Sequence, residues 1–358
     1  MKKVQLKDVC LKATSKYAQK DLKDKEGKFA IYGASGLIKY IDVFECDEEY
    51  VAVVKDGAGV GRTLFLPAKT SVIGTLQYLL PKDNIVPKYL YYAVKNMHLE
   101  KYRTGSTIPH IYFKDYQNEK FQLPGKEEQM KVVRILDKLE MVLQEKDEQL
   151  KNMERLIKSR FVEMFGDPLS NPKGWDKVNI SYVISGKVSN GFFAKRDDYC
   201  EAGNIKVLGV VNIVNRMYAN TENLPQTNGT DVDITKYGVK YGDMLFCRSS
   251  LVAQGIGKAS IVPQGISDNI LFECHVIRLP LDLSKCVPEF MQVLSTTEYF
   301  RRQIISQSKT ATMTTIGQDG ILKTDIILPP IKLQKYFLQF VQQVDKSKFS
   351  CYTNSSYS

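Results

Sequence analysis

Apolar residues between Phe29 and about Leu80 fall in short runs, FAIYG, YVAVVK, TLFLP and SVIGTLQYLLP, each closed by Gly, Pro or Asp. Runs of that length and punctuation predict β-strands. Pro87 then opens PKYLYYAVKNMHLEKYR, where Leu90, Tyr91, Val94 and Met97 or His98 share one stripe, so a short amphipathic helix follows. Strand-like FQLP at 121–124 ends this region. Residues 125–165 differ in kind: they carry no proline, one glycine, and dense Glu, Lys, Leu, Val and Met. Leu136, Leu143, Leu150, Ile157 and Met164 recur every seven residues, with Val132, Leu139, Lys146, Met153 and Arg160 as a second, partly polar seam. This heptad predicts a long helix with coiled-coil packing, about 60 Å in length, which should act as a spacer. Gly166, Asp167 and Pro168 then stop the helix.

The pattern then repeats. IKVLGVVNIV, DMLFCRS, KASIV and LFECHVIRLP read as strands, and VPEFMQVLSTTEYFRRQI matches VPKYLYYAVKNMHLEKYR in type. Thr107, Ile111, Leu123, Pro124 and Gln129 recur 205 positions later as Thr312, Ile316, Leu328, Pro329 and Gln334. Val132, Ile135, Leu136 and Leu139 are answered by Phe337, Phe340, Val341 and Val344, which keeps the same helix face apolar. A repeat at this period implies two domains and two helices. We therefore expect an α+β chain: a first domain at 1–124, a spacer helix at 125–165, a second domain at 166–329, a shorter helix at 330–348 and a frayed tail at 349–358.

Charge adds one constraint. Fifty Lys and Arg against forty Asp and Glu give a net charge of +10, which makes a polyanionic partner plausible. The seven cysteines are odd in number and form no C-x-x-C pair, which disfavours zinc and a disulfide framework and fits a reducing cytoplasm. The N-terminus lacks the apolar core of a secretory signal, and no run reaches a membrane span, so a cytoplasmic protein without membrane contact is expected. His98, His110 and His275 form no ligand spacing, so no metal site is expected. No phosphate loop, nucleophile elbow or H-E-x-x-H occurs, and Asn171-Pro172 continues as Lys-Gly rather than as an adenine-methyltransferase signature. No residue is assigned a catalytic role.

The string LIKSRFVEMFGDP at 156–168, ending a heptad helix that follows LPGKEEQ, resembles the central region of type I restriction-modification DNA specificity subunits. The LPPIKLQ helix start and the GSTIPHI segment at 105–111 are similar to the same family. The resemblance implies two target recognition domains held apart by antiparallel helices, each reading one half of a split DNA site. It implies double-stranded DNA, methyltransferase (M) subunits and a motor-nuclease (R) subunit as partners. No cofactor is expected in this chain, with S-adenosylmethionine in the methyltransferase partner. The shortened second helix departs from the family, in which it runs about as long as the first.

Candidate DNA contacts cluster in glycine-bordered loops. DGAGVGR at 56–62 lies between strand-like runs and opens no helix, so a dinucleotide-binding loop is disfavoured against a hairpin. CRSSLVAQGIGKAS holds the same place in the second copy, and both loops end in Gly and a cation, Gly61-Arg62 and Gly257-Lys258. They are DNA-facing loops or purely structural turns. Lys55 and Arg248, the latter followed by Ser249, sit at equivalent strand ends within reach of a guanine edge or a phosphate. YGASGLIKY offers Tyr32, Ser35 and Lys39 as contacts or a solvated turn. NGFFAKRDDY offers Lys195 and Arg196, with Phe192 and Phe193 read as core rather than stacking residues. The rival classes are a single-chain DNA-modifying enzyme and a coiled-coil adaptor.

Overall fold

The computed structural model describes residues 2–353 except 58, 106, 107, 311 and 312; side chains from 348 onward are not described. Thr107 and Thr312 of the repeat therefore lie outside the described residues. The chain divides into two compact units, Met1–Glu145 and Lys146–Ser358. The fold is mixed helix and sheet with one 40-residue helix, Lys126–Phe165, whose bounds agree with the sequence reading. Gly166, at φ +78°, ends it, its N–H donating to the Val162 carbonyl at 2.7 Å.

In the first unit, an antiparallel sheet runs Cys10–Thr14, Leu76–Pro81, Tyr50–Val54, Thr63–Leu66. The central strand YVAVV is buried throughout because both of its faces are covered. Alternation sends Val51 and Val53 into a core with Leu79, Leu90 and Val94 of the Pro87–Lys95 helix, and Tyr50, Ala52 and Val54 into another with Leu76 and Tyr78. A smaller sheet pairs Phe29–Gly33 with Gly36–Ile41 on one side and Ser71–Val72 on the other. Two N-terminal strands were not read from the sequence: Cys10–Thr14, and Lys2–Gln5, which pairs antiparallel with Lys120–Leu123. Both occupy sheet edges and carry lysines outward, so no apolar run marks them.

The second unit repeats the strand order as Ser189–Asn190, Val276–Pro280, Asp243–Cys247, Ala259–Ile261. Alternation again splits its central strand, with Met244 and Phe246 in one core and Leu245 and Cys247 in another. Three expected elements are broken. IKVLGVVNIV is the strand Ile205–Leu208 and a short helix Val210–Ile213, because the Asn212 carboxamide accepts from the Gly209 N–H at 3.0 Å and turns the chain. LFECHVIRLP is two strands, Ile270–Phe272 and Val276–Pro280, separated by a turn in which the Val276 N–H donates to the Glu273 carbonyl at 3.0 Å. VPEFMQVLSTTEYFRRQI is two helices, Pro288–Thr296 and Glu298–Ser306, the second capped by the Thr297 hydroxyl.

The final helix spans Ile331–Thr353, five residues beyond the expected end at 348 and into the expected tail. No glycine or proline interrupts that stretch, so propensity does not stop the helix where the apolar pattern does. Its Phe337 packs edge-on to Phe161 and Phe165, ring centroids 5.7 and 5.6 Å away, and both of those rings also meet Phe290, at 5.5 and 4.9 Å. The repeated helix face is thus buried in the second unit at Phe337, Val341 and Val344, whereas Ile135 and Leu139 are exposed in the first. Leu143, on the expected heptad seam, is 68 % exposed. No described helix is long and apolar enough to cross a membrane.

Candidate nucleic-acid interface

The strongest sequence repeat proves to be a hydrogen-bonded junction built the same way twice. Gln129, fully buried near the start of the long helix, accepts from the Val86 N–H at 2.7 Å and donates to the carbonyls of Pro124 (2.9 Å) and Asn84 (3.2 Å). Gln334 accepts from the Val287 N–H at 2.9 Å and donates to the carbonyls of Pro329 (2.7 Å) and Lys285 (3.4 Å). Val86 and Val287 each precede the proline that opens the domain helix, so each glutamine satisfies backbone groups that helix starts leave orphaned. A carboxamide is needed because the site asks for one acceptor and two donors.

The two basic hairpins share a frame as well. In the first unit, the Val54 N–H donates to the Arg62 carbonyl and the Gly61 N–H to the Val54 carbonyl, both at 2.9 Å. In the second, the Cys247 N–H donates to Lys258 and the Gly257 N–H to Cys247, both at 2.8 Å. The residues that leave these strands, Lys55 and Arg248, each accept at their carbonyls from a repeated isoleucine, Ile111 (2.9 Å) and Ile316 (3.0 Å). Structure thereby pairs Lys55 with Arg62 on one hairpin and Arg248 with Lys258 on the other. Glycine is required in both: Gly61 and Gly257 have φ of +89° and +61°, and a Cβ would meet the Glu100 nitrogen at 2.5 Å and Ile304 Cγ2 at 2.4 Å.

Side chains then differentiate the hairpins. Arg62 is exposed and donates to the Ala34 carbonyl at 3.0 Å, which brings the Tyr32–Ser35 turn beside the first hairpin. Lys55 is half-buried, and its side chain has no hydrogen-bond or ion-pair partner among the described residues. Lys39, within the Gly36–Ile41 strand, donates instead to the Leu22 carbonyl at 3.0 Å. In the second unit, Arg248 donates to the Cys274 carbonyl at 3.1 Å, and the Ser249 hydroxyl lies 3.1 Å from His275 Nδ1. Lys258 donates to Asn215 Oδ1 at 2.7 Å. The segment leading to Lys195 and Arg196 runs alongside, its Phe192 N–H bonded to the Phe272 carbonyl at 2.7 Å. Lys195 and Arg196 themselves are exposed and make no hydrogen bond to the hairpin among the described residues; the Lys195 N–H donates to the Asp198 carboxylate. Phe192 packs edge-on to Tyr237 at 5.8 Å, but Phe193, expected in the core, is 69 % exposed because it lies just past the last sheet contact.

Titratable groups here are held in inert states. Burial pushes the Cys10 and Cys46 thiols up to about 12, and also raises Cys247, so these remain protonated near neutrality. Burial lowers the Arg301 guanidinium from its ordinary value. Arg301, Arg216 and Lys158, which line a cleft with Lys258, were not singled out from the sequence. They come from three distant segments with no shared motif, so no local signal marks them. Among the described residues, no group of three or more His, Cys, Asp or Glu is placed to hold a metal ion.

Residues 1–152 match the family model for the type I restriction modification DNA specificity domain. Over 319 residues the chain is 23 % identical to the type I restriction enzyme MjaVIII specificity subunit of Methanocaldococcus jannaschii, covering 84 % of this chain and 73 % of that one. It is 22 % identical over 286 residues to the MjaIX specificity subunit of the same organism, covering 74 % and 63 %. Among solved structures, the S subunit of a type I restriction-modification system from M. genitalium shares the fold, with a TM-score of 0.56 at 13 % identity, over 99 % of this chain and 92 % of that one.

Proposed function

From the chain's similarity to type I restriction-modification DNA specificity subunits, we propose that it is the non-catalytic subunit that reads a bipartite DNA site, one half-site per unit. The observation that carries this reading is the pair of matched hairpins, Lys55 with Arg62 and Arg248 with Lys258, framed by the same backbone bonds yet carrying different side chains. A shared frame with divergent heads suits two readers of different sequences, since base edges in the major groove present distinct donor and acceptor patterns. Tyr32, Ser35, Lys39, Lys195, Arg196 and Ser249 complete the proposed contact set. The chain works with double-stranded DNA, methyltransferase subunits that bind S-adenosylmethionine and a motor-nuclease subunit, in the cytoplasm.

The test is DNA binding by the complex with its methyltransferase subunits. Lys55→Ala, Arg62→Ala, Arg248→Ala and Lys258→Ala are each expected to weaken binding, and loss of a base contact costs about 1–3 kcal/mol. Unchanged affinity at moderate salt in all four variants overturns the assignment of these hairpins. Salt-dependent DNA binding distinguishes this reading from an adaptor, and S-adenosylmethionine binding by the isolated chain would mark an enzyme instead.

A further inference from the structure

The second unit contains a cleft of about 470 Å³ whose walls come from the last third of the long helix, the 215–217 turn, the second hairpin, the end of the Pro288–Thr296 helix and Arg301 of the Glu298–Ser306 helix. Four cations line it, Lys158, Arg216, Lys258 and Arg301, against one carboxylate, Glu154. None of the four is in an ion pair among the described residues. Such an excess of positive charge around a concave space attracts an anion strongly, because low-dielectric walls focus the field.

Two of these heads are held in place by neutral oxygens, which orient them without cancelling their charge. Lys258 Nζ donates to Asn215 Oδ1 at 2.7 Å, and Arg301 Nη2 donates to the Gln254 carbonyl at 3.2 Å. Arg301 Nη1 is buried and has no hydrogen-bond partner. A buried, unsatisfied guanidinium nitrogen is costly, and an anion accepting from it would remove that cost.

The first unit is built differently at the matching place. Gly61 there abuts the backbone of Glu100, Gly257 abuts Ile304 with Arg301 Nη1 beside it, and Glu100 and Arg301 each stand thirteen positions after the helix-opening proline. Glu100 is exposed and lies 3.3 Å from His98. An acid stands in one copy where the other has the cation.

We propose that this cleft is a phosphate-binding site, with Arg301, Arg216, Lys258 and Lys158 gripping one phosphodiester of a DNA strand, and that it belongs to the second unit only. In taking DNA as the source of the phosphate, the assignment rests on the function proposed above. It adds an anchor for the second half-site that carries no sequence information, since a phosphate contact positions but does not specify. The volume accommodates a phosphodiester together with several waters at roughly 30 Å³ each.

The test compares the full chain in its methyltransferase complex with Arg301→Gln, Arg301→Lys, a combined Arg216→Gln/Arg301→Gln variant and, as a control, Lys240→Gln, an exposed lysine away from the cleft. Each is checked for an unchanged thermal midpoint. DNA affinity is measured against salt, and inorganic pyrophosphate binding is measured separately. Loss of one phosphate contact is expected to flatten the log–log salt slope by about 1 in Arg301→Gln and the combined variant, with Arg301→Lys close to the parent and Lys240→Gln unchanged. The loss should be equal for every DNA sequence. A parent slope in the combined variant overturns the proposal while leaving the DNA reading intact. If the parent shows no salt-dependent DNA binding, the DNA reading fails instead. Saturable pyrophosphate binding abolished by Arg301→Gln would then identify a site for free phosphate ligands, and its absence would dismiss the cleft altogether.

Discussion

At the scale of single residues, the buried glutamines carry the most information. Gln129 and Gln334 are identical because each must satisfy a backbone N–H and two carbonyls at a place water does not reach. Replacing either by alanine leaves those groups unsatisfied, and the expected loss is about 1–3 kcal/mol from chemical denaturation of the full chain. A loss below a few tenths for both would show that the repeat has another cause. The identity of these positions was legible in the sequence, but their partners were not. Asn84 and Lys285 stand about fifty positions from their glutamines, and nothing local announces the pairing. Basic residues divide in the same way. Lys55, Arg62, Arg248 and Lys258 could be picked out because glycine and strand ends flag them. Arg216 and Arg301 could not, since only folding brings them to one cleft.

At the scale of elements, the long helix was read correctly to within a residue because glycine bounds it and nothing inside breaks it. Short strands fared worse where a side chain turns the chain, as Asn212 does after Leu208. Equal apolar patterning on the two helices also conceals unequal burial. Phe337, Val341 and Val344 are buried in one core with Phe161, Phe165 and Phe290, whereas Ile135 and Leu139 are exposed. Phe165, fully buried among Phe161, Phe290 and Phe337, joins the long helix to the second unit's core. Phe165→Ala is expected to cost about 3–5 kcal/mol in unfolding of that unit, read by denaturation followed through Trp175, whose indole donates to the Phe165 carbonyl. A cost under about 1 kcal/mol would mean that the aromatic cluster does not organise this end of the helix.

The whole molecule uses one frame twice and fits it with different heads. The strand order, the glutamine junction and the hairpin hydrogen bonds recur, while the charges presented diverge, with Glu100 in one copy and Arg301 in the other as the clearest case. The measurement that tests this most directly is methylome sequencing of cells that express the chain with the methyltransferase subunit proposed as its partner. It would be compared with a chain whose residues 170–325 are exchanged for those of a type I specificity subunit that it resembles. The account predicts that one half of the methylated motif changes and the other half is retained. A motif altered in both halves, or in neither, would contradict it.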